Sequence, residues 1–410
     1  METKPEELNL QNLTILKVLG KGAMGTVFLV TDQSSPSPFA LKVVQKSTFK
    51  TKFDADRRAR WEISVLSRLS KSPFLPSLLG ILENEDFLAW GVPYCSGGDL
   101  NVLRYRQNDR IFSPTVIRFY VAEIVCALEN LHRMEIVYRD LKPENVLIQG
   151  SGHITLTDFD LSRTLTTKPI IHKPVPVPIP KPVPEKKKHS SFHFPLPLPL
   201  PSQLPSLSFQ RHRRNLTRVM FVAPQIALKK AKSARVSPVS RKRLSFVNGE
   251  RSHSFVGTEE YVSPEVVRGE GHEYAVDWWA LGILIYEMMY GKTPFCGKNR
   301  KETFNNVVNK NPEFLGKRTP LIDLIERLLD KDPTKRLGFN RGAVEIKEHE
   351  FFKGLRWDML TDVMRPPFIT PNQDSDDLTA NKINMREYFR PKPVAQESPL
   401  DSPSVSLAEF

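Results

Sequence analysis

The segment YRDLKPENVL, residues 138–147, contains three side chains whose chemistry suits transfer of a phosphoryl group. Asp140 can accept the proton of a hydroxyl nucleophile, Lys142 can neutralise the group in transfer, and Asn145 can hold a divalent cation. Asp158 follows thirteen residues later, after the short run HITLT. Carboxylate and amide oxygens are hard ligands that suit Mg²⁺ bound together with nucleotide phosphates. We therefore predict that the first three residues are catalytic and that Asn145 and Asp158 hold the metal.

A glycine-rich stretch near the start of the chain, LGKGAMGTV at residues 19–27, could bind phosphates. Glycines let backbone N–H groups approach phosphate oxygens closely. The same glycine spacing also marks dinucleotide sites, but a helix follows it there. Here the β-rich run TVFLV follows, which is typical of a loop folded over the phosphates of ATP.

Lys42 ends the apolar run FALK, seventeen residues beyond the last glycine of that stretch. A lysine on a strand after such a loop is a candidate for binding nucleotide phosphates, and its partner should be an acid on the next helix. Glu62 is the only acid between Arg57 and Leu82, so we predict that it pairs with Lys42. An ordinary surface salt bridge is the alternative for Glu62.

The elements that must position these residues are β-rich at first and helical later. Residues from about 13 to 103 contain short β-rich runs and one helical pattern, DADRRARWEISVLSRLS. The run SPTVIRFYVAEIVCALENLHRM predicts a long amphipathic helix, with Ser113 as its N-cap and Pro114 at its first position. Helical patterning resumes after residue 252 and continues to about Phe352.

The charge and the prolines set one segment apart from the rest of the chain. The 410 residues carry a net charge of +13, but residues 161–255 hold nineteen Lys and Arg against two acids, which leaves −4 elsewhere. Fourteen of the 34 prolines lie between residues 164 and 249, and alternating prolines exclude a helix or a central strand. We therefore predict a solvated insert in a polyproline II or disordered conformation. Its prolines form no strict PxxP pair, so an SH3-type ligand is not expected.

The compartment is predicted from what the sequence does not contain. No apolar run approaches the roughly 20 residues of a membrane-spanning helix, and the acidic start METKPEELNLQN is no secretory signal. Cys95, Cys126 and Cys296 show no paired disulfide or metal spacing. We expect the cytoplasm and the nucleus, with peripheral association at the plasma membrane as an option for the basic insert.

Together these motifs resemble those of a eukaryotic protein kinase over roughly residues 14–352. The resemblance implies an α+β fold of two lobes, a small β-rich N-lobe with one key helix and a large, mainly helical C-lobe. ATP and Mg²⁺ are the implied cofactors, with Mn²⁺ as an alternative metal. The implied segments are an N-terminal extension (1–13), the N-lobe (about 14–95), the C-lobe (about 96–352), the insert (164–249) and a C-terminal tail (353–410).

The resemblance also implies an adenine site. Aligned on the family, VPYCSGGDL places Val92 at the gatekeeper, with the carbonyl of Pro93 and the N–H of Cys95 binding adenine. Pro93 stands where an acid is common, but that position is needed only as an acceptor. The implied ATP-binding residues are Leu19, Gly20, Lys21, Gly22, Ala23, Met24, Gly25, Thr26, Val27, Ala40, Lys42, Glu62, Val92, Pro93, Cys95 and Leu147.

Motifs further along the chain narrow the resemblance. By resemblance, Glu265 of SPE should pair with Arg336 of DPTKRLG, and Asp277 of DWWALG should hold the catalytic-loop backbone. DWWALGILIYEM, SPFLPSLLG and the tail HEFFKGLRWDML are similar to the AGC group of Ser/Thr kinases. The triplet DFD and the long basic insert are similar to the plant-specific branch of that group, closest to the UNICORN type. Most members end in a Phe-x-x-Phe motif that docks an upstream phosphoinositide-dependent kinase, but Leu407 replaces a Phe in SLAEF, so this motif is degenerate.

Asp160 is the residue of TDFDLS that departs from the usual glycine. By resemblance, position 160 contributes backbone and no metal ligand, and Asp tolerates the left-handed conformation that glycine permits. We therefore expect that Asp158 is the metal ligand, that Asp160 marks the branch, and that Asp160→Gly stays active.

Three acids, Asp99, Glu144 and Glu287, match the positions with which basophilic relatives read arginine. They imply protein substrates with Arg or Lys two or three residues before the Ser or Thr. The alternative is that some are ordinary surface acids. The sequence RKRLSF makes Ser245 a candidate autophosphorylation site.

Ser254 stands where the family carries its activation-segment phosphate, which could pair with Arg139 and Arg58. The insert's basic clusters KKAK and RKR could serve nuclear import, an anionic lipid or an acidic partner, or could simply be solvated. They lack the interleaved aromatics that nucleic-acid recognition would use. A monomer is expected. The alternative function is a pseudokinase scaffold that acts through the insert, although the lysine, base and metal residues are all present.

Overall fold

The computed structural model describes residues 7–22, 25–33, 35–47, 54–69, 72–165, 259–271, 273–362 and 383–389. The predictions on Ala23, Met24, Ser245, Ser254, Leu407 and the Pro-rich insert lie outside these residues. The described strands are β1 (Leu13–Lys21), β2 (Thr26–Asp32), β3 (Ser35–Gln45), β4 (Gly80–Glu83), β5 (Phe87–Pro93), β6 (Ile136–Val137), β7 (Val146–Ile148), β8 (Ile154–Leu156), β9 (Arg163–Thr164) and β10 (Ile383–Asn384). The described α-helices are α1 (Ala55–Arg68), α2 (Leu100–Tyr105), α3 (Pro114–Arg133), α4 (Pro264–Val267), α5 (Ala275–Tyr290), α6 (Arg300–Asn309), α7 (Pro320–Leu328), α8 (Ala343–Lys347) and α9 (Met385–Tyr388).

The N-lobe is an antiparallel sheet in the order β10-β1-β2-β3-β5-β4. Consecutive residues of the central strand β5 are buried, and successive side chains of a strand point to opposite sides, so both faces of this strand are covered. In β5, Phe87 and Ala89 belong to the outer apolar cluster, whereas Leu88 and Trp90 belong to the core that includes α1 and the C-lobe helices. The two clusters fix the register of the sheet, since a shift by one residue would exchange them.

The C-terminal tail supplies the edge strand β10, which pairs with β1 through Thr14 opposite Asn384 and Ile15 opposite Ile383. Met385 is fully buried in the outer cluster, and the Phe389 ring lies 5.1 Å from Phe87 between ring centroids. The tail therefore covers both an exposed strand edge and an apolar sheet face.

We expect that Phe389→Ala lowers the free energy of unfolding by about 2 kcal/mol, because a half-buried ring that packs on Phe28 and Phe87 is lost. Urea unfolding followed by circular dichroism measures the change. Phe339→Ala is the matched control, because Phe339 is 36% exposed in the C-lobe. Equal losses in the two variants would contradict a stabilising role for the tail.

The C-lobe is built on α3 and α5. Helix α3 begins as predicted, with the Ser113 hydroxyl accepting from the N–H of Val116 and Pro114 at the first position. Helix α5 is buried along most of its length and packs on α7 at Gly282, where an added Cβ would lie 2.8 Å from a Leu329 side-chain carbon. The predicted α+β fold of two lobes is confirmed. No helix within the described ranges is long and apolar enough to cross a membrane.

Candidate active site

The described residues of the glycine-rich stretch lie at the end of β1 and the start of β2, with Gly20 opposite Val27 and Lys21 opposite Thr26. A strand follows it, as predicted for a phosphate loop and unlike a dinucleotide site. The N–H of Gly22 donates to the carbonyl of Gly25 at 2.8 Å. A Cβ at Gly25 would lie 2.1 Å from the carbonyl oxygen of Val43, so only glycine allows this approach of β2 to β3.

Lys42 on β3 joins two carboxylates. Its Nζ lies 2.7 Å from Glu62 Oε2 on α1 and 2.9 Å from Asp158 Oδ1, so the predicted pair with Glu62 is formed. Burial alone would lower the pKa of Lys42, but the two carboxylates outweigh it and raise the pKa, so the ammonium stays charged. The arrangement presents a fixed positive charge to the floor of the cleft described below.

Asp140 is oriented by the other two predicted catalytic residues. Lys142 Nζ donates to Asp140 Oδ2 at 2.7 Å, and Asn145 Nδ2 donates to the same oxygen at 2.8 Å. Asn145 Nδ2 also bonds to the Asp140 carbonyl at 2.9 Å. Burial raises the pKa of Asp140 to about 6, although Lys142 lowers it. The three predicted residues therefore form one hydrogen-bonded unit.

Asp277, fully buried at the start of α5, holds the loop that carries Asp140. Its two carboxylate oxygens accept from the N–H groups of Tyr138 at 2.9 Å and Arg139 at 2.7 Å. His132 Nε2 lies 2.7 Å from Asp277 Oδ2. The predicted contact between Asp277 and the catalytic-loop backbone is thus present, and it anchors the loop to the start of α5.

A cleft of about 930 Å³ lies between the lobes, above this loop. That volume suits a nucleotide-sized ligand. Burial raises the pKa of Cys95 in the cleft wall to about 12, so its thiol stays protonated. Ten of the predicted ATP-binding residues line the cleft, and they are Leu19, Gly20, Val27, Ala40, Lys42, Glu62, Val92, Pro93, Cys95 and Leu147.

The predicted metal ligands fit Mg²⁺ by the chemistry of their donors. Asp158, which also lines the cleft, offers a carboxylate. Asn145, whose amide nitrogen donates to Asp140, offers its amide oxygen. No group of three His, Cys, Asp or Glu within the described ranges is placed to hold a metal ion. Mg²⁺ is commonly bound by one or two such side chains together with nucleotide phosphates, so both residues would hold it with ATP.

Asp160 makes a side-chain contact in addition to its backbone, and the expectation that it is no metal ligand stays a prediction. Its side chain is largely buried, and Oδ2 lies 3.3 Å from Arg58 Nη1 on α1. The left-handed residue of this segment is Asp158, with φ of 58°, and Asp160 does not share that conformation. Burial raises the pKa of Asp160 and Asp158 adds to this, whereas Lys42 and Arg58 oppose it. Asp160 therefore has a side-chain partner that the motif alone does not reveal.

The three acids predicted to read substrate arginine differ in their surroundings. Asp99 and Glu144 line the cleft, where Asp99 caps α2 and Glu144 accepts from Asn101. Glu287 is buried and pairs with Arg104 at 2.9 Å, and the Tyr261 hydroxyl also donates to it. Two of the acids thus face the cleft, and the third is committed to an internal ion pair.

Trp90 is a cleft residue that the motifs did not reveal. It lies on β5 two residues before Val92, and Lys42 Nζ lies 5.4 Å from the centre of its ring. The alternation of β5 could have predicted this position, because residues two apart share a face of the sheet.

Comparisons with known proteins agree with this geometry. The family described as "Protein kinase domain" matches residues 13–175 and 243–352. The chain is 54% identical to the serine/threonine-protein kinase UCN of Arabidopsis thaliana, covering 99% of this chain and 100% of UCN. It is 56% identical to UCNL of the same plant (97% and 94% covered) and 37% identical to AGC1-5 (90% and 61% covered). The chain therefore belongs to the protein kinase family. It is a serine/threonine-protein kinase of the plant AGC type, close to the UNICORN kinases, as the sequence predicted.

Proposed function

We propose that this kinase transfers the γ-phosphoryl group of ATP to Ser or Thr hydroxyls preceded by basic residues. Two carboxylates at the cleft, Asp99 and Glu144, carry the proposal of basic selectivity. The bonded unit of Asp140, Lys142 and Asn145 supports the proposed chemistry.

In the proposed mechanism the substrate hydroxyl oxygen bonds to the γ-phosphorus of ATP while its proton passes to Asp140. The bond from that phosphorus to the bridging oxygen breaks, and ADP leaves. Lys142 and Asn145 both donate to Oδ2, so they hold the carboxylate with Oδ1 towards the incoming hydroxyl. Lys142 stays next to the transferring group and offsets its negative charge. Mg²⁺, or Mn²⁺ in its place, would be held by Asn145 and Asp158 and would neutralise negative charge on the nucleotide phosphates. Lys42, fixed by Glu62, orients the nucleotide phosphates.

The basic selectivity is tested with two substitutions that remove charge but keep hydrogen bonds. Asp99→Asn retains an N-cap acceptor for α2, and Glu144→Gln retains an acceptor for Asn101. We expect each to reduce the preference for an Arg-containing peptide over its Arg→Ala counterpart by about tenfold in kcat/KM, because one charge pair with the peptide is lost. A peptide-array assay with wild type establishes the reference preference.

Glu348→Gln, at an exposed C-lobe pair with Arg341, is the matched control and should keep that preference. An unchanged preference in both Asp99→Asn and Glu144→Gln would rule out their role. The scaffold alternative is separated by phosphate transfer from radiolabelled ATP. Transfer no greater than in Lys42→Ala and Asp140→Ala, with Mg²⁺ or Mn²⁺, would favour a scaffold.

We propose further that the Pro-rich basic insert binds anionic lipid or an acidic partner, and that the protein works as a monomer in the cytoplasm and nucleus. The positive charge of residues 161–255 supports the first part. The upstream phosphoinositide-dependent kinase is a further proposed partner, for which the docking motif around Leu407 is degenerate.

A further inference from the structure

Helix α1 is bound along one face to the segment that follows the metal ligand. Trp61 Nε1 donates to Ser162 Oγ at 3.0 Å, and Arg68 Nη1 donates to Thr164 Oγ1 at 3.4 Å. Arg58 pairs with Asp160, three residues before Trp61 on the same helix. Residues three, four and seven apart share a helix face, so these contacts form a single row.

The first contact of the row is the one made by ions. Asp160 is 7% exposed and Arg58 is 24% exposed at the side chain. Breaking this pair would leave a buried carboxylate without its partner, which is costly. The sequence motif suggests Arg58 as a ligand for an activation-segment phosphate, yet here the chain's own carboxylate occupies it.

The row also determines the geometry of the nucleotide lysine. Glu62 leaves α1 on the same face and reaches Lys42, which in turn reaches Asp158. If α1 moved away, Lys42 would lose Glu62. Docking of α1 and formation of the Lys42–Glu62 pair are therefore coupled. Any contact that holds α1 to the segment also favours this pair.

We propose that Asp160 and Arg58 are positioning residues that hold α1 in its docked position without a phosphate on the activation segment. Asp160 supplies the negative charge that a phosphate would otherwise present to Arg58. The aspartate that replaces glycine in this branch is then a built-in docking group, and the kinase is active before any phosphorylation of that segment.

The experiment is a double-mutant cycle on the full chain after phosphatase treatment. Asp160→Asn, Arg58→Met and the double variant are compared by kcat/KM for ATP. We expect kcat/KM for ATP to fall about tenfold in each single variant and no further in the double variant, because either change removes the same ion pair. Amide hydrogen exchange should become faster in α1 and stay unchanged in α3. Arg57→Met is the matched control, since Arg57 is a neighbouring, half-exposed arginine that pairs with Asp54.

Magnesium dependence separates this proposal from a simple field effect on Asp158. A field effect predicts that the Mg²⁺ concentration needed for half-maximal activity shifts in opposite directions in the two variants. Asp160→Asn removes a negative charge near Asp158, whereas Arg58→Met removes a positive one. Docking predicts that both variants lose activity at saturating Mg²⁺. Multiplicative losses in the double variant, opposite Mg²⁺ shifts, or full activity of both singles would each overturn the proposal. If a single variant does not fold, Asp160→Glu and Arg58→Lys, which keep the charges, should retain most activity; inactivity of both as folded proteins would also overturn it.

Discussion

Asp140→Asn is expected to lower kcat by about 10²- to 10⁴-fold with little change in KM for ATP. The amide keeps an oxygen that can accept from Lys142 and Asn145, so the loop geometry is preserved while the proton acceptor is lost. Asp277 holds the loop backbone independently of the side chain at 140. Steady-state phosphate transfer to a peptide measures kcat, and nucleotide titration gives KM. A large rise in KM for ATP with unchanged kcat would contradict the proposed role.

The dependence of kcat/KM on pH is a second test of Asp140 as the proton acceptor. Burial raises the pKa of Asp140 to about 6, and the acceptor must be deprotonated. The kcat/KM value should therefore fall as the pH drops through about 6 and stay level above it. Glu62 could give a similar acid limb, because burial raises its pKa too.

The variant Lys142→Met shows whether Asp140 or Glu62 causes the acid limb of the pH profile. Lys142 lowers the pKa of Asp140, so its loss should move the acid limb to higher pH in addition to lowering the rate. The exposed Lys335→Met is the matched control and should leave the limb in place. A limb that stays in place or moves to lower pH in Lys142→Met would show that another group titrates.

Local patterns predicted the parts of the site that local chemistry determines. The glycine turn, the strand carrying Lys42 and the Ser113 cap each depend on neighbours a few residues away, and the structure forms all three. The pairing of Lys42 with Glu62 was predictable because only one acid was available on the next helix.

The contacts that the sequence could not reveal join residues far apart in the chain. Asp160 lies 102 residues from Arg58, and Ser162 lies 101 residues from Trp61. Nothing in the motif around Asp160 specifies that α1 passes beside it, so the family scheme reduced the residue to its backbone. The edge strand β10 could not be predicted for the same reason, because its two residues form a strand only by pairing with the edge of β1.

The buried pair of Arg336 and Glu265 should give the largest effect on stability. Arg336 is 1% exposed and forms two bonds to the carboxylate, at 2.7 and 2.9 Å. We expect Arg336→Met to lower the free energy of unfolding by about 3–5 kcal/mol, because Glu265 is left buried and charged. The double variant Glu265→Leu with Arg336→Met should recover most of this loss. Urea unfolding at neutral pH measures all three proteins.

The stability difference between wild type and Arg336→Met should also depend on pH. Burial would raise the pKa of Glu265, but Arg336 outweighs it, so the folded-state pKa lies below the unfolded value. The pair therefore stabilises the wild type above the unfolded pKa, and this stability is lost as the pH falls through the folded pKa. In Arg336→Met the pKa of Glu265 should rise instead, so the gap between variant and wild type should narrow on acidification. Arg341→Met, at an exposed pair with Glu348, is the control and should change stability little at any pH. A gap that stays constant on acidification would mean that Glu265 is already neutral in the wild type, and that packing rather than charge holds α4 to the loop of Arg336.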